Sequence, residues 1–308
     1  MKTHAVMFHH FHNQIHPKGQ GSLSEGDLEK MLAWLQQEYR VLCADEYLDK
    51  ALRWQLREDE TCLTLDDSLL CQYEIANSVI EAKGLTAFYF VYSSAFTETP
   101  DPLEIYRYFR STKFADFDEF FENFMLQALY EFPKILKTRL SDFNPDKYLT
   151  AFPFYTREDR IFRYLRDEVW APHEYEKVMK SLMWAKGFSA SDAQQKIYMQ
   201  PSHLTELHSK GHIIGLHSHS HPTRLDLLSP QKQKEEYQQN LSFLDRVIGQ
   251  PIRTMSHPCG RYTEDTLEIL TQLEISIGFR SSRSVEEART LLEIPREDHA
   301  NVVTRMKL

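Results

Sequence analysis

Short apolar segments alternate with amphipathic ones along this chain, except over about one hundred residues in its middle. Strand-like segments HAVMFHHF, ETCLTLDD and TAFYFVYSS are separated by helical periodicity in the first third, and HIIGLHSH, RTMSHPCG and ISIGFRSS are separated in the same way in the last third. Strands that alternate with helices predict a parallel α/β unit. The pattern between them is helical. We therefore predict an α/β unit in two parts, residues 1–95 and 201–308, with a largely helical insertion at residues 96–200.

Length and charge narrow the class of protein further. A chain of 308 residues suits two domains, or one α/β barrel of roughly 200–250 residues with an insertion. The net charge of −9 argues against nucleic acid or an anionic membrane surface as a partner. No run approaches the roughly 18 apolar residues of a membrane span, and the first residues lack the apolar core of a signal peptide. Four cysteines without a CxxC pair indicate reduced thiols. We expect a soluble, cytoplasmic protein.

Three histidines stand at alternate positions in GLHSHSHPTRL. They are His217, His219 and His221, and they follow a predicted strand, at the end where catalytic groups of α/β barrels collect. Most single histidines in a protein are structural, but three within five residues favour a metal site. If the chain stays extended, all three share one face. If it turns helically after His217, then His217 and His221 share a face and His219 points away.

Two adjacent aspartates, Asp66 and Asp67, end a second predicted strand in TLDDS. In an acidic chain such a pair is usually a solvated turn. Here the apolar Leu63 and Leu65 bring the strand directly to the pair. One carboxylate can then ligate a metal while its neighbour accepts a proton from water, which is the division of labour that metal-assisted hydrolysis needs.

The segment SHPCGRY, residues 256–262, follows a third predicted strand. Proline followed closely by glycine usually marks only a turn. Such a turn can also present a backbone N–H, here that of Cys259, to an oxyanion.

In this order, TLDDS, LHSHSH and SHPCGRY resemble the motifs of the polysaccharide deacetylases, the family of the NodB homology domain and of carbohydrate esterase family 4. The opening VMFHHF is similar to the MYHRV-type start of many members. The resemblance covers about residues 4–95 and 201–283. It implies an α/β fold, the NodB-like distorted (β/α)7 barrel, interrupted here by the helical insertion.

The resemblance also implies a set of site residues. Asp67, His217 and His221 would bind a divalent metal, for which zinc is the first candidate. Asp66 would be the general base, and the backbone N–H of Cys259 would be the oxyanion donor. His9 matches the histidine of the MYHRV-type start, which implies a place near the active site. His219 would be a bystander or would support a ligand.

The chain departs from the family pattern at several places. Ser68 stands where the family usually has glycine, and Cys259 replaces an aromatic residue. Ser256 stands where many members have an arginine that orients the base, and Arg253 is too displaced in sequence to replace it. These departures leave open a non-catalytic member of the fold.

The family's general acid, usually a histidine in a late L-x-H motif, has no clear counterpart. Ile294 stands at that position in LLEIP. His9, His257 and His299 are the remaining candidates.

The function that the resemblance implies is the removal of an acetyl group from an N-acetylated sugar, with a cytoplasmic saccharide precursor as the expected substrate. Two alternatives stay open: the hydrolysis of another non-peptide C–N bond, and carbohydrate binding without turnover. Because Asp66 is kept beside a complete ligand set, catalysis is favoured over binding alone.

The insertion permits several readings. Its aromatic residues, which include Phe120, Phe121, Phe124 and Tyr130, are expected to form a core of their own, and its apolar helices could support a homo-oligomer. The insertion leaves a strand at its carboxyl end, which is the active-site end of an α/β barrel. We therefore expect it to wall off part of the cleft and to favour small or terminal sugars over long polymers.

Overall fold

The computed structural model describes residues 4–150, 155–281 and 288–306. The chain divides into two compact units. The first contains Met1–Asp101 and Gln194–Leu308, and the second contains Pro102–Ala193. The predicted limits of the insertion, residues 96–200, stay a prediction.

Nine short strands are described. They are β1 (Ala5–Phe8), β2 (Arg40–Val41), β3 (Glu60–Thr61), β4 (Leu63–Asp66), β5 (Ala87–Val91), β6 (Ile213–Leu216), β7 (Thr254–Ser256), β8 (Ile277–Phe279) and β9 (Arg296–Asp298). Seven of them form one parallel sheet in the order β8-β7-β6-β5-β4-β1-β9, and β2 pairs with β3 alone. A parallel bridge between Phe279 and Ile294 links β8 to the segment that enters β9, so the sheet nearly closes on itself. The predicted distorted (β/α)7 barrel is confirmed.

The helices follow the strands as the periodicity predicts. In chain order they are α1 (Glu25–Glu38), α2 (Ala44–Leu52), α3 (Asn77–Ala82), α4 (Leu103–Lys113), α5 (Phe117–Glu131), α6 (Pro133–Ser141), α7 (Arg157–Tyr164), α8 (Pro172–Ala185), α9 (Ala190–Ile197), α10 (Pro201–Ser209), α11 (Pro230–Ile248), α12 (Glu264–Gln272) and α13 (His299–Met306). Ser24 caps α1 through a capping box with Asp27. Among the described residues, no helix has the length and apolar character to cross a membrane.

The parallel register of the sheet gathers functional side chains at one edge. Strand β4 lies between β1 and β5, and β6 follows β5. All four run in the same direction, so the residues that follow their carboxyl ends meet at the same rim. Gly215 in β6 permits the close packing there, because a Cβ at this position would lie 2.5 Å from the Thr254 hydroxyl and 2.7 Å from the Phe90 ring.

The second unit has an aromatic core of its own. Phe120 and Phe124 of α5 are completely buried and pack edge-on against Phe162 of α7. The expectation of an internal aromatic core is therefore confirmed for these residues. For Tyr130 it is wrong: this side chain is 81% exposed, because it lies outside the stripe of α5 that carries Phe120, Phe124 and Ala128.

Candidate active site

Asp67, His217 and His221 lie together at the rim of the sheet. Asp67 directly follows β4, and both histidines follow β6. One potential ligand atom from each residue lies within 4.8 Å of the other two, and all three side chains are buried. Nε2 of His217 and Nε2 of His221 are each 3.4 Å from Asp67 Oδ1. These distances are short enough for all three atoms to approach one ion.

The chain turns immediately after His217 instead of remaining extended. Ser218 has φ +64° and His221 has φ +52°, so the backbone enters the left-handed region twice within four residues. This turn brings the rings of His217 and His221 to a centroid distance of 4.9 Å. The ring of His219 is directed elsewhere, where its Nδ1 lies 2.8 Å from the Ser93 hydroxyl. Of the two open arrangements, the turned one is found.

A second left-handed turn presents the aspartates. Asp67 has φ +81° and Ser68 has φ +60°, a conformation that costs a residue with a Cβ more than it costs glycine. This explains why glycine is the usual residue at the position of Ser68 in similar motifs. The Ser68 hydroxyl is buried and has no hydrogen-bond partner in the part of the chain that the structure describes, so the serine adds a second local cost.

The hydrogen bonds of the cluster fit a cation. Nδ1 of His217 lies 2.9 Å from the carbonyl oxygen of Ser256, which can only accept, so the ring proton belongs on Nδ1. Nε2 then directs a lone pair toward Asp67 Oδ1, a buried oxygen with no hydrogen-bond partner among the described residues. Two facing electron pairs in a buried site require a positive charge between them. Two imidazoles and a carboxylate, with one imidazole fixed from behind, are a donor set that zinc accepts.

The charges of the cluster shift the pKa values of Asp67 and His217 so that the charged form of each side chain is favoured. Burial by itself raises the pKa of Asp67, but the adjacent His217 and the positive charges of His221 and His9 outweigh burial, and the pKa is lowered. Burial lowers the pKa of His217, but the carboxylates of Asp66 and Asp67 outweigh it, and the pKa is raised. The site therefore favours an ionised carboxylate and attracts positive charge.

Asp66 is held by an arginine that the sequence analysis did not identify. Nη1 of Arg296 donates to Asp66 Oδ1 and Nη2 donates to Asp66 Oδ2, both at 2.7 Å. The Arg296 side chain is only 1% exposed, and its Nε donates to the carbonyl of Arg280 at 3.1 Å. Burial raises the pKa of Asp66, but Arg296 and His217 outweigh burial and keep the pKa below its usual value. Asp66 is thus ionised and fixed in orientation.

Arg296 lies on β9, whereas the family pattern places an arginine at the position of Ser256, the last residue of β7. The Ser256 hydroxyl lies 3.3 Å from Asp66 Oδ1 and 2.7 Å from His217 Nδ1. Arg253 pairs at the surface with Glu274. The available signal was an arginine in the stretch LLEIPR, which is mostly apolar, because a buried arginine needs an anionic partner.

A second residue that was missed is Asn240 of α11. Its amide oxygen accepts from the backbone N–H of His217 at 2.9 Å, and its amide nitrogen donates to the carbonyl of Val91 at 2.9 Å. Asn240 is completely buried and thereby anchors the turn that carries the histidines to β5.

The three histidines considered as proton donors differ in environment. Nε2 of His9 lies 4.0 Å from Asp66 Oδ2 and 4.0 Å from Asp67 Oδ2, and its side chain is 26% exposed. His257 is completely buried, and burial lowers its pKa to about 4. His299 is buried with Nε2 at 2.7 Å from the carbonyl of Gly21. Of the three, His9 is the one that combines contact with both aspartates and access to solvent.

Cys259 occupies the turn after β7. It is exposed and has φ +52°, again in the left-handed region. Its backbone role as an oxyanion donor stays a prediction.

The polysaccharide deacetylase family model matches residues 177–278, which include His217, His221 and the segment of Cys259 but not the aspartates. No curated protein matches the chain by sequence. The solved structures that are similar share the fold. The Streptococcus pyogenes deacetylase PplD, in complex with acetate, is 15% identical over 97% of this chain and 92% of its own, with a TM-score of 0.57.

Two further structures agree with that comparison. IcaB from Ammonifex degensii is 15% identical over 96% of this chain and 91% of its own, with a TM-score of 0.55. A de-N-acetylase from Aggregatibacter actinomycetemcomitans is 10% identical over 96% and 93%, with a TM-score of 0.56. The predicted resemblance to the polysaccharide deacetylases is confirmed, and identities this low establish similarity of fold.

Proposed function

We propose, from the resemblance to the polysaccharide deacetylases, that this chain is a metal-dependent deacetylase that hydrolyses the acetamide of an N-acetylated sugar. The observation that supports the proposal best is the position of an ionised carboxylate, Asp66, beside the cluster of Asp67, His217 and His221. Hydrolysis requires a proton acceptor and an electrophilic centre side by side, and binding alone requires neither.

Asp67, His217 and His221 would hold a divalent ion, with zinc as the first candidate. When bound, such an ion polarises the acetyl carbonyl and lowers the pKa of water in its vicinity. The protein's contribution is to fix the donors: Ser256 sets the proton position on the His217 ring, and Asn240 holds the backbone of the same residue.

The remaining steps belong to side chains and backbone of the chain. Asp66 accepts a proton from the attacking water, whose oxygen forms a bond to the acetyl carbon. Arg296 keeps Asp66 ionised and aimed during this step. The N–H of Cys259 donates a hydrogen bond to the resulting oxyanion. His9 gives a proton to the leaving nitrogen as the C–N bond breaks, which yields acetate and an amino sugar.

Within the acetylated sugars, we propose a narrower class of substrate. A small or terminal acetylated sugar, such as a cytoplasmic saccharide precursor, fits the expectation that residues 96–200 cover part of the cleft. Rates on an acetylated monosaccharide conjugate and on a long acetylated polymer measure this preference. Efficient cleavage in the middle of a long polymer would count against a preference for small or terminal sugars.

We also propose that the insertion forms a homo-oligomer. Sedimentation of the full chain measures its oligomeric state.

The experiment for the reaction itself compares Asp66→Asn with the native chain in acetate release from a panel of acetylated sugars. Asn has the same shape but accepts no proton, so we expect turnover to fall by roughly 10²- to 10⁴-fold while bound metal is retained. Asp226→Asn is the matched control, because Asp226 pairs with Arg224 and not with the cluster. Sugar binding and bound metal without acetate release in the native chain would instead indicate a non-catalytic member. Ammonia or another amine product without acetate would indicate a different C–N hydrolase.

A further inference from the structure

A second group of potential metal ligands lies beside the first. We propose that His9, Asp298 and His299 form a separate binding site for a divalent transition-metal ion. One ligand atom from each of these residues lies within 4.8 Å of the other two. The proposal does not rest on the reaction proposed for the first cluster, although it uses His9, the proposed proton donor of that reaction.

The fold brings these three residues together from two neighbouring strands. His9 directly follows β1, Asp298 is the last residue of β9, and His299 is the first residue of α13. In the register of the sheet, Met7 of β1 pairs with Asp298 of β9, so the two chain segments leave the same rim side by side. An ion at this point would connect the first strand of the sheet to its last strand and to the C-terminal helix.

The hydrogen bonds of His299 leave one buried ring nitrogen in a position to bind a cation. Nε2 of His299 lies 2.7 Å from the carbonyl oxygen of Gly21, which can only accept, so the ring proton belongs on Nε2. Nδ1 therefore has a lone pair, and it lies 3.4 Å from Asp298 Oδ1. This Nδ1 is buried and has no hydrogen-bond partner among the described residues. The backbone of Met7 offers the ring another acceptor.

A proton is a poor substitute for a metal ion here. A neutral imidazole has one N–H and cannot donate to Gly21 and to Asp298 together. A metal ion on Nδ1 would satisfy the lone pair and the carboxylate at the same time, while Nε2 keeps its bond to Gly21. This is the usual arrangement of a ligating histidine, whose second nitrogen donates to a carbonyl.

The chemistry of the donors defines the class of ion. Two imidazoles and one carboxylate favour zinc, cobalt or nickel over magnesium and calcium, which prefer oxygen ligands. The site is open to solvent on one side, since the Asp298 side chain is 37% exposed and that of His9 is 26% exposed. His9 also contacts the aspartates of the first cluster, with Nε2 at 4.0 Å from both carboxylates. Ligation through one ring nitrogen leaves a proton on the other, so His9 can serve both sites.

The number of bound ions tests the proposal without reference to activity. Zinc titration followed by elemental analysis of the full-length protein should give two ions per chain. The double variant His217→Ala/His221→Ala should keep one ion, and its melting temperature should still rise when zinc is added. Asp298→Asn should also keep one ion. This replacement preserves the side-chain oxygen that accepts from the N–H of Ala300 at the start of α13.

Glu74→Gln is the matched control. Glu74 Oε2 lies 2.6 Å from Nε2 of another histidine, His16. Among the described residues, this pair has no third potential ligand beside it. This variant should keep both ions. A second variant, His299→Gln, keeps a donor for Gly21 and should lose the same ion as Asp298→Asn. Circular dichroism confirms that each variant is folded.

Three results would overturn the proposal. The first is a single ion in the native chain that persists in Asp298→Asn and in His299→Gln. The second is the absence of any bound ion in the folded His217→Ala/His221→Ala variant. The third is loss of the second ion in Glu74→Gln. Failure of the first cluster to support catalysis would leave the ion count at the second cluster unchanged, so the two proposals fail separately.

Discussion

Replacing Arg296 with methionine tests how the candidate site is held together. Methionine fills a similar volume without charge, so the main loss is the pair of 2.7 Å hydrogen bonds to the carboxylate of Asp66. Arg296→Met also removes donors to Thr64 and to the carbonyl of Arg280. Asp66 is then a buried carboxylate without its counter-charge, since its side chain is only 3% exposed.

Leaving one member of a buried ion pair unpaired costs about 3–5 kcal/mol. The cost depends on pH, and its sign follows from Asp66. In the native chain the pKa of Asp66 lies below its usual value of 3.8, so the ion pair stabilises the fold above that pH and the contribution is lost in acid. Without Arg296, burial raises the pKa of Asp66, and the carboxyl group takes up a proton. The difference in unfolding free energy between native and variant chains should therefore be largest near neutral pH and should shrink toward pH 4.

The assay is urea denaturation at several pH values for four proteins: native, Arg296→Met, Asp66→Asn and the double variant. We expect a coupling free energy of about 3 kcal/mol at pH 7, because the arginine has no charge to neutralise once Asp66 is replaced. Acetate release should fall in Arg296→Met and its acidic limb should move to higher pH. If Arg296→Met cost less than about 1 kcal/mol, or cost the same with and without Asp66, the assignment of Arg296 as the partner of the base would be wrong.

Three further outcomes follow from the site. His217→Ala or His221→Ala should remove most of the metal bound at the first cluster, as measured by elemental analysis. His219→Ala should retain that metal, because the His219 ring is hydrogen-bonded to the Ser93 hydroxyl instead. Equal losses in all three variants would contradict the turned geometry. Ser68→Gly should raise the free energy of unfolding by roughly 1 kcal/mol. The change removes a Cβ from a left-handed backbone position and a hydroxyl that lacks a hydrogen bond, which outweighs the entropic cost of a glycine. A lowered melting temperature would refute that reasoning. The pKa of His257 is about 4 in the folded chain against a usual 6.5, so the unfolded chain binds the proton first. The free energy of unfolding should therefore fall by about 3 kcal/mol as the pH drops from 6.5 to 4. Denaturation curves of His257→Gln should show a smaller loss over the same pH range.

The sequence alone determined the class of fold and the ligand candidates. Alternating apolar and amphipathic segments are local patterns, and they predict a parallel sheet because each strand and helix must bury one face. The positions of Asp67, His217 and His221 at strand ends could be read in the same way, since carboxyl ends of parallel strands share a rim. In each case the signal lies within a few residues of the feature it predicts.

The tertiary structure alone decided which side chains meet. Arg296 lies 230 positions from Asp66 in the chain, and it reaches that carboxylate because β9 closes the sheet beside β1. The choice between two and three histidines at the candidate metal site was made by left-handed residues after β6, whose conformation is stabilised by contacts with distant elements. The grouping of His9 with Asp298 and His299 likewise requires the register between the first and the last strand. Partners this far apart in the chain leave no periodic signal, because only the closed sheet brings them within hydrogen-bonding distance.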